Sequence, residues 1–229
     1  MAKKKEISDK PIIDVEETLD RTEAFIEKNK TMLTTVVVII IVAVGGFFIF
    51  RNYYQAPRER QSQSQIFMAQ KYFAKDSLDL ALMGDGNYPG FLDIIDDYGS
   101  TKAGNLSRYY AGIIYLHKGE FDEAISYLKK FKSKDLILSA MALGAIGDAY
   151  SEMDNIKEAV SYYEKASAKT TNHFTTPIYL MKAANTYEDL GDNEKALKIY
   201  QRLRTEFVRT QEGREAEKYY AKLSALLDK

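Results

Sequence analysis

The chain has 229 residues, a formal net charge of −1, and neither cysteine nor tryptophan. Without cysteine there are no disulfides, thiolate metal sites or thiol nucleophiles, and the near balance of charge lacks the basic excess of a nucleic-acid binder. The length suits one membrane segment and one soluble domain of ordinary size, and seventeen tyrosines with only four prolines suit helices that pack through aromatic rings.

Residues 1–31 carry seven Lys/Arg and eight Asp/Glu, and the part after residue 50 carries 25 of each. Within the tail Val15, Leu19, Thr22 and Ile26 fall at 4-3-4 spacing, which predicts an amphipathic helix over residues 14–29. It lies on a membrane or a partner, or simply leads into the apolar run beyond it.

Residues 32–50, MLTTVVVIIIVAVGGFFIF, contain no charge. As a helix they rise roughly 28 Å, about the thickness of a bilayer's hydrocarbon. A core helix of a soluble domain would show polar positions every three or four residues, and here only Thr34 and Thr35 do so. A cleavable signal has a short basic start, a shorter apolar run and a small-x-small cut site. Here a charged tail of 31 residues precedes the run, and Phe50-Arg51-Asn52-Tyr53-Tyr54 follow it. The run is expected to be a permanent transmembrane helix. The tail's lysines, Lys3, Lys4, Lys5, Lys28 and Lys30 among them, against Arg51, Arg58 and Arg60 beyond the run, favour a cytoplasmic N-terminus and a translocated C-terminal domain. Phe47, Phe48, Phe50, Tyr53 and Tyr54 cluster as an aromatic belt does at the far interface. Ala43, Gly45 and Gly46 offer a close-packing face for a second membrane helix; equally, glycine is common in spans.

A juxtamembrane linker is expected over residues 51–64 and the soluble domain over 65–229. Helical patterns cover Gln65 to Met83 and Phe91 to Asp97. From there the sequence repeats. Gly112-x-x-Tyr115, Gly147-x-x-Tyr150 and Ala184-x-x-Tyr187 recur at intervals of 35 and 37 residues. Nine residues after each Tyr stands an alanine (Ala124, Ala159, Ala196), and four further on a large residue (Leu128, Tyr163, Tyr200). The turn sequences KGEFDEA, MDNIKEA and LGDNEKA lie between. This spacing predicts helix hairpins: small residues let two helices approach, the Tyr fills the space alongside, and polar turns reverse the chain. A lone hairpin cannot bury its apolar face, so the hairpins stack into a solenoid.

The pattern resembles the tetratricopeptide repeat, most closely through Leu143, Ile146, Gly147, Tyr150, Ala159, Tyr163 and Ala166. Phe131 and Leu203 stand where that family prefers alanine, and no copy is followed by the usual proline. Repeats are expected over about 105–138, 140–173 and 177–210, with GREAEKYYAKLSALL, 213–227, as a closing cap helix. The expected fold is all-α: an N-terminal transmembrane helix followed by a tetratricopeptide-like solenoid.

The stretches that approach catalytic or ligand motifs are incomplete. GSTKAG, Gly99 to Gly104, has the skeleton of a phosphate loop but lacks the following Lys-Ser/Thr and reads as a loop between helices. DGNYPGFLDIID, Asp85 to Asp96, superficially matches a calcium loop, yet Pro89 occupies a ligand position and Asp96 replaces the bidentate Glu. His117 and His173 have no partners at ligand spacing. No catalytic residue, cofactor or metal site is expected.

The tetratricopeptide resemblance implies a groove lined by the first helix of each unit. The first would present Leu106, Tyr109, Ile113, Leu116 and His117; the second Met141, Gly144, Asp148, Ser151 and Glu152; the third Ile178, Met181, Asn185, Glu188 and Asp189. With one Asn and no Lys or Arg, this is not the family's clamp for a peptide carboxylate. Apolar residues at one end and acids at the other suit an apolar or basic segment. Alternatively the preceding helices cover the apolar set and the acids are a solvated face.

A charged tail ending FIEKNK, one span followed by RNYYQ, and a repeat domain together resemble the YfgM-like family, ancillary subunits of the bacterial Sec translocon. That resemblance implies a single-pass inner-membrane protein with a periplasmic domain. It would sit beside translocon subunits and a membrane-anchored prolyl-isomerase-type chaperone, and assist exported polypeptides. A tethered adaptor of another envelope complex, for secretion or outer-membrane assembly, and a stand-alone periplasmic holdase remain open.

Overall fold

The computed structural model describes residues 15–227. The first 14 residues of the expected tail, with Lys3, Lys4 and Lys5, lie outside the described residues. The chain divides into two units, residues 1–57 and 58–229.

In the first unit, α1 (Val15–Lys28) and α2 (Lys30–Ile49) meet at Asn29. The Asn29 amide and side-chain amide both donate to the Phe25 carbonyl, at 3.0 and 2.8 Å. In α2 the Thr34 and Thr35 hydroxyls donate back to the carbonyls of Lys30 and Thr31 at 2.7 and 2.8 Å. These two hydroxyls are thereby satisfied within the helix. None of α2 is buried, and Val36 to Val42 are 46–67% exposed. Among the described residues this is the one helical stretch long and apolar enough to cross a membrane.

Residues 51–64, expected as a juxtamembrane linker, are helical. Phe50–Gln55 form a π-helical segment with Phe50 stacked on Tyr54 at 5.2 Å, and α3 (Ala56–Phe73) follows. No glycine interrupts this stretch, and the Ala56 amide reaches back to the Arg51 carbonyl. The widened turn accommodates Pro57, which has no N–H and whose ring would crowd the carbonyl four residues back.

The second unit takes in α3 from Arg58 onward. The Arg58 guanidinium donates to the Asp97 carbonyl and covers the Tyr98 ring, Glu59 accepts from the Lys102 amide at 3.0 Å, and Ser62 is fully buried. Short α4 (Leu78–Met83) and α5 (Phe91–Tyr98) complete a leading cap. Three hairpins follow: α6 (Lys102–His117) with α7 (Phe121–Lys130), α8 (Leu136–Glu152) with α9 (Ile156–Ala168), and α10 (Thr175–Asp189) with α11 (Asn193–Glu206). The closing helix α12 is Gln211–Leu227.

The hairpin turns are chemically alike. After the Tyr of each small-x-x-Tyr motif comes a left-handed residue, Gly119 (φ 76°), Asp154 (φ 57°) or Gly191 (φ 73°). The amide after it donates to that Tyr's carbonyl at 2.8–2.9 Å, which satisfies a carbonyl orphaned by the helix end. Ahead of them Ala69, Tyr72, Asp76 (φ 58°) and Ala81 reproduce the same offsets, with Ser77 N donating to Tyr72 O at 3.0 Å. The leading cap is thus a shortened hairpin of the same design.

Glycines set the spacing inside two hairpins. A Cβ on Gly112 would lie 2.5 Å from Leu128 Cγ, and one on Gly147 2.6 Å from the Tyr163 ring. Ala124, Ala159 and Ala196 are fully buried opposite. Three apolar clusters result, one around Phe91 and Ile114, one around Ile125 and Ile146, and one around Tyr163, Tyr200 and Leu203.

Candidate protein-binding groove

The leading helices α6, α8 and α10 carry every residue assigned to the groove. Leu106, Ile113, Leu116 and Met141 are partly buried against the cluster around Ile146, and Ile178 against the cluster around Tyr200. Tyr109 and Met181 are buried, at 9% and 8% exposed, so both belong to the seams between helices and not to an open surface. Gly144 is buried as well, with the Tyr179 ring of α10 laid over it. The preceding helices reach Leu106, which packs against both the leading-cap cluster and the next one, but Ile113 and Leu116 pack only onward.

The acids divide into two kinds. Asp148 Oδ1 accepts from Tyr163 Oη at 2.8 Å and from Lys182 Nζ at 2.6 Å. One unit further on, Glu188 accepts from Tyr200 Oη at 2.8 Å and from Lys222 Nζ at 2.9 Å, while Asn185 Oδ1 accepts from Tyr200 at 2.7 Å. Each acid therefore grips a tyrosine of its own hairpin and a lysine 34 residues ahead, on the leading helix of the next hairpin or on α12. These acids brace adjacent units. Burial first, then the neighbouring acid, pushes the Tyr163 and Tyr200 hydroxyls well above the usual phenol range. Glu152, Asn185, Asp189, Ser151 and His117 are exposed or only partly covered.

The groove contains a lysine, contrary to expectation. Lys182 joins Leu116, His117, Phe121, Asp148 and Glu152 around a cleft of about 500 Å³. Its 34-residue separation from Asp148, close to the repeat interval, is the signal that would have revealed it. The cleft is thus mixed in character: apolar at Leu116 and Phe121, with a neutralised pair in the middle and the carboxylate of Glu152 at the side. It offers contacts for a bound polypeptide.

The two loops that mimicked ligand motifs have structural explanations. Thr101 caps α6 by accepting from the Gly104 amide at 3.1 Å, and a Cβ on Gly104 would meet the Tyr98 carbonyl at 2.0 Å. The same geometry recurs at Phe207, Thr210 and Gly213, so GSTKAG is a junction between hairpins. Asp85 accepts from the amides of Asn87 and Tyr88 and from Tyr72 Oη, bonds that close its loop and hold its carboxyl below the usual range, Tyr72 contributing most.

In α2 the positions of Gly45 and Gly46 face open space, with nothing within 4 Å of a Cβ built on either, and neighbouring Val42 and Val44 are exposed. Ala43 lies on the same exposed helix.

Tetratricopeptide-repeat family models match residues 106–135, 141–167 and 179–208. Among solved structures, the chain is similar to the nearly identical TPR-like repeats of a candidate kinesin light chain from Podosopora anserina. Identity is 14% and the TM-score 0.54, over 72% of this chain and 86% of that one. A point variant of the same protein gives 15% identity and the same TM-score over 72% and 85%. At that identity the likeness concerns the fold. No curated protein matches the sequence. The chain contains tetratricopeptide repeats, in an all-helical solenoid that serves protein–protein interaction.

Proposed function

We propose that this chain is a membrane-tethered, non-catalytic scaffold of the Sec translocon, which assists newly exported polypeptides through its repeats. The observation that carries the tether is α2, a helix of 20 residues with no buried residue, in a chain whose second unit is a repeat array. The resemblance of the FIEKNK–span–RNYYQ junction to the YfgM-like family supports the choice of machine. On this reading residues 1–31 are cytoplasmic, residues 32–50 span the bacterial inner membrane, and the repeat domain is periplasmic. Translocon subunits dock against the span, with Ala43, Gly45 and Gly46 as the close-packing face. A membrane-anchored prolyl-isomerase-type chaperone and emerging chains meet the repeat surface. In the groove the accessible contacts are Leu116, His117, Ser151, Glu152, Asn185 and Asp189.

The test is gentle detergent extraction of the full-length chain from native membranes, affinity capture, and mass spectrometry of what accompanies it. A variant with residues 32–50 replaced by an unrelated span runs alongside. Translocon subunits and the chaperone, both lost with the replaced span, are expected. A secretion or outer-membrane assembly complex would make the chain an adaptor of that machine, and unfolded polypeptides alone would make it a holdase.

A further inference from the structure

Away from the groove, the chain carries a surface of one sign. A depression of about 690 Å³ lies where α6 begins and α7 ends, lined by Lys102, Asn105, Arg108, Lys129, Lys130 and Lys132. A second, of about 340 Å³, adjoins it through Lys129 and Lys132 and adds Lys169. Neither lining includes an acid. Among the described residues, no carboxylate pairs with Lys102, Lys129, Lys130, Lys132 or Lys169, whereas six other basic residues of the domain have one. Glu59, on α3, accepts from the Lys102 amide through one oxygen and from the Gln63 side-chain amide through the other, and lies outside both linings.

The second depression is apolar beneath its rim. Leu128, Phe131, Ala142 and Ile146 form its floor and Leu143 and Tyr162 its walls. The rim is also held in place. Lys129 Nζ donates to Tyr150 Oη at 2.9 Å and lies over the rings of Tyr150 and Tyr162, and Asn105 bonds both the amide and carbonyl of Lys132 at 3.1 and 2.7 Å. One held cation, Lys129, and further lysines without a carboxylate partner around an apolar pit are what an anionic partner with one apolar anchor needs. Charge complementarity orients it, and burial of the anchor holds it.

We propose that this basic cleft of α6, α7, α8 and α9 is a second docking surface, distinct from the groove, and that it takes an acidic polypeptide segment with one large apolar side chain. The pit accepts that side chain, and Lys102, Arg108, Lys130 and Lys132 meet carboxylates on one flank, Lys169 on the other. A bare anion or lipid headgroup would leave the apolar pit unused, which is why a polypeptide is the better fit.

The test is fluorescence anisotropy of a short fluorescein-labelled peptide of Asp and Glu with a single central Phe, titrated with the full-length chain in dodecyl maltoside micelles. Saturable binding is expected, weakened about tenfold by K130E/K132E, since each exposed ion pair contributes only modestly. Both lysines are at the surface and lack a carboxylate partner, so an unchanged melting curve will show that the variant is folded. Replacing the peptide's Phe by Ser should weaken binding at least as much, and E152K/D189K in the groove should leave it unchanged. No saturable binding, equal binding by K130E/K132E, or equal binding of the Ser peptide would each overturn the proposal. So would complete displacement of the peptide by phosphatidylglycerol added to the micelles, which would assign the cleft to lipid.

Discussion

Tyr179 of α10 lies directly across Gly144 of α8: a Cβ built on that glycine would stand 1.9 Å from Tyr179 Cε1. The second and third hairpins interlock here, a large ring of one filling the hollow left by the other's missing side chain. Gly144→Ala should therefore destabilise the domain by ~1–3 kcal/mol, although alanine is the better helix former. Tyr179→Ala should cost ~3–5 kcal/mol. The double variant should lose clearly less than the sum, because the clash exists only when both partners are present. Urea unfolding of the four proteins measures the coupling, and additivity would mean that the ring does not depend on the glycine.

The braced and unbraced acids should behave differently on charge reversal. Glu188→Lys places a cation beside Lys222 and leaves the Tyr200 hydroxyl without one of its acceptors, a loss of ~1–3 kcal/mol. Glu152→Lys and Asp189→Lys, both exposed, should change stability by less than ~0.5 kcal/mol. Thermal melts distinguish the cases. Only the second pair is therefore a clean probe of binding in the groove.

Alkali should attack the domain through its seams. Burial first, then the hydrogen bond to Glu164, pushes Tyr187 up to about 12 from its ordinary value of 10.0. Tyr163, Tyr179 and Tyr200 are raised too, burial leading in each. A phenol with a raised folded pKa contributes stability that is whole below pH 10 when its neutral form is the one the fold holds, and that interaction is lost as pH climbs towards 12. Ultraviolet titration should show Tyr163, Tyr179, Tyr187 and Tyr200 ionising only in step with loss of helical circular dichroism. Ionisation of these seam tyrosines while helical circular dichroism is intact would refute this.

Acid should act on the leading cap. The Tyr72 hydroxyl, at 2.6 Å, and two backbone amides hold the Asp85 carboxyl below its ordinary value of 3.8. A depressed folded pKa contributes stability that is present above pH 3.8 and fades as pH falls through the folded value. The melting difference between the wild type and Tyr72→Phe should accordingly be constant near neutrality and shrink below pH 3.8. A difference independent of pH would show that the hydroxyl acts by packing alone.

Asp154 occupies the left-handed turn position filled by glycine in the first and third hairpins. Asp154→Gly should stabilise the second hairpin by ~0.5–1 kcal/mol, whereas Gly191→Ala should destabilise the third by a similar amount. Hydrogen exchange of the amides in α8 and α9 would report the first change locally.

The repeating Tyr and Ala positions were legible because hairpin geometry fixes their spacing, and the three turn sequences marked the reversals. The leading cap was obscured because its copy is shortened: Ala69, Tyr72 and Ala81 keep the offsets, but α4 ends at Met83, and Asp85 stands where Leu128 and Tyr163 stand in later hairpins. That residues 51–64 are helical was not legible, because the contacts that hold the segment are distant in sequence: Glu59 bonds the Lys102 amide and Ser62 is fully buried. In the groove, leading-helix register could be read from the repeat, whereas burial could not. Tyr109 and Met181 are as apolar as Leu106 and Ile178, and only the rotation of one hairpin on the next decides which of them reaches solvent.

The hydrogen bonds that join tyrosines to carboxylates across the hairpins have an optical consequence. An excited phenol readily gives up its proton to an acceptor already in contact, so Tyr163 on Asp148, Tyr187 on Glu164 and Tyr200 on Glu188 should be dim emitters in the folded chain. With no tryptophan to mask them, they brighten as their hairpins part. The chain thus carries a label-free reporter at each of its later seams, and the order in which they light up under denaturant gives the order in which the stack comes apart.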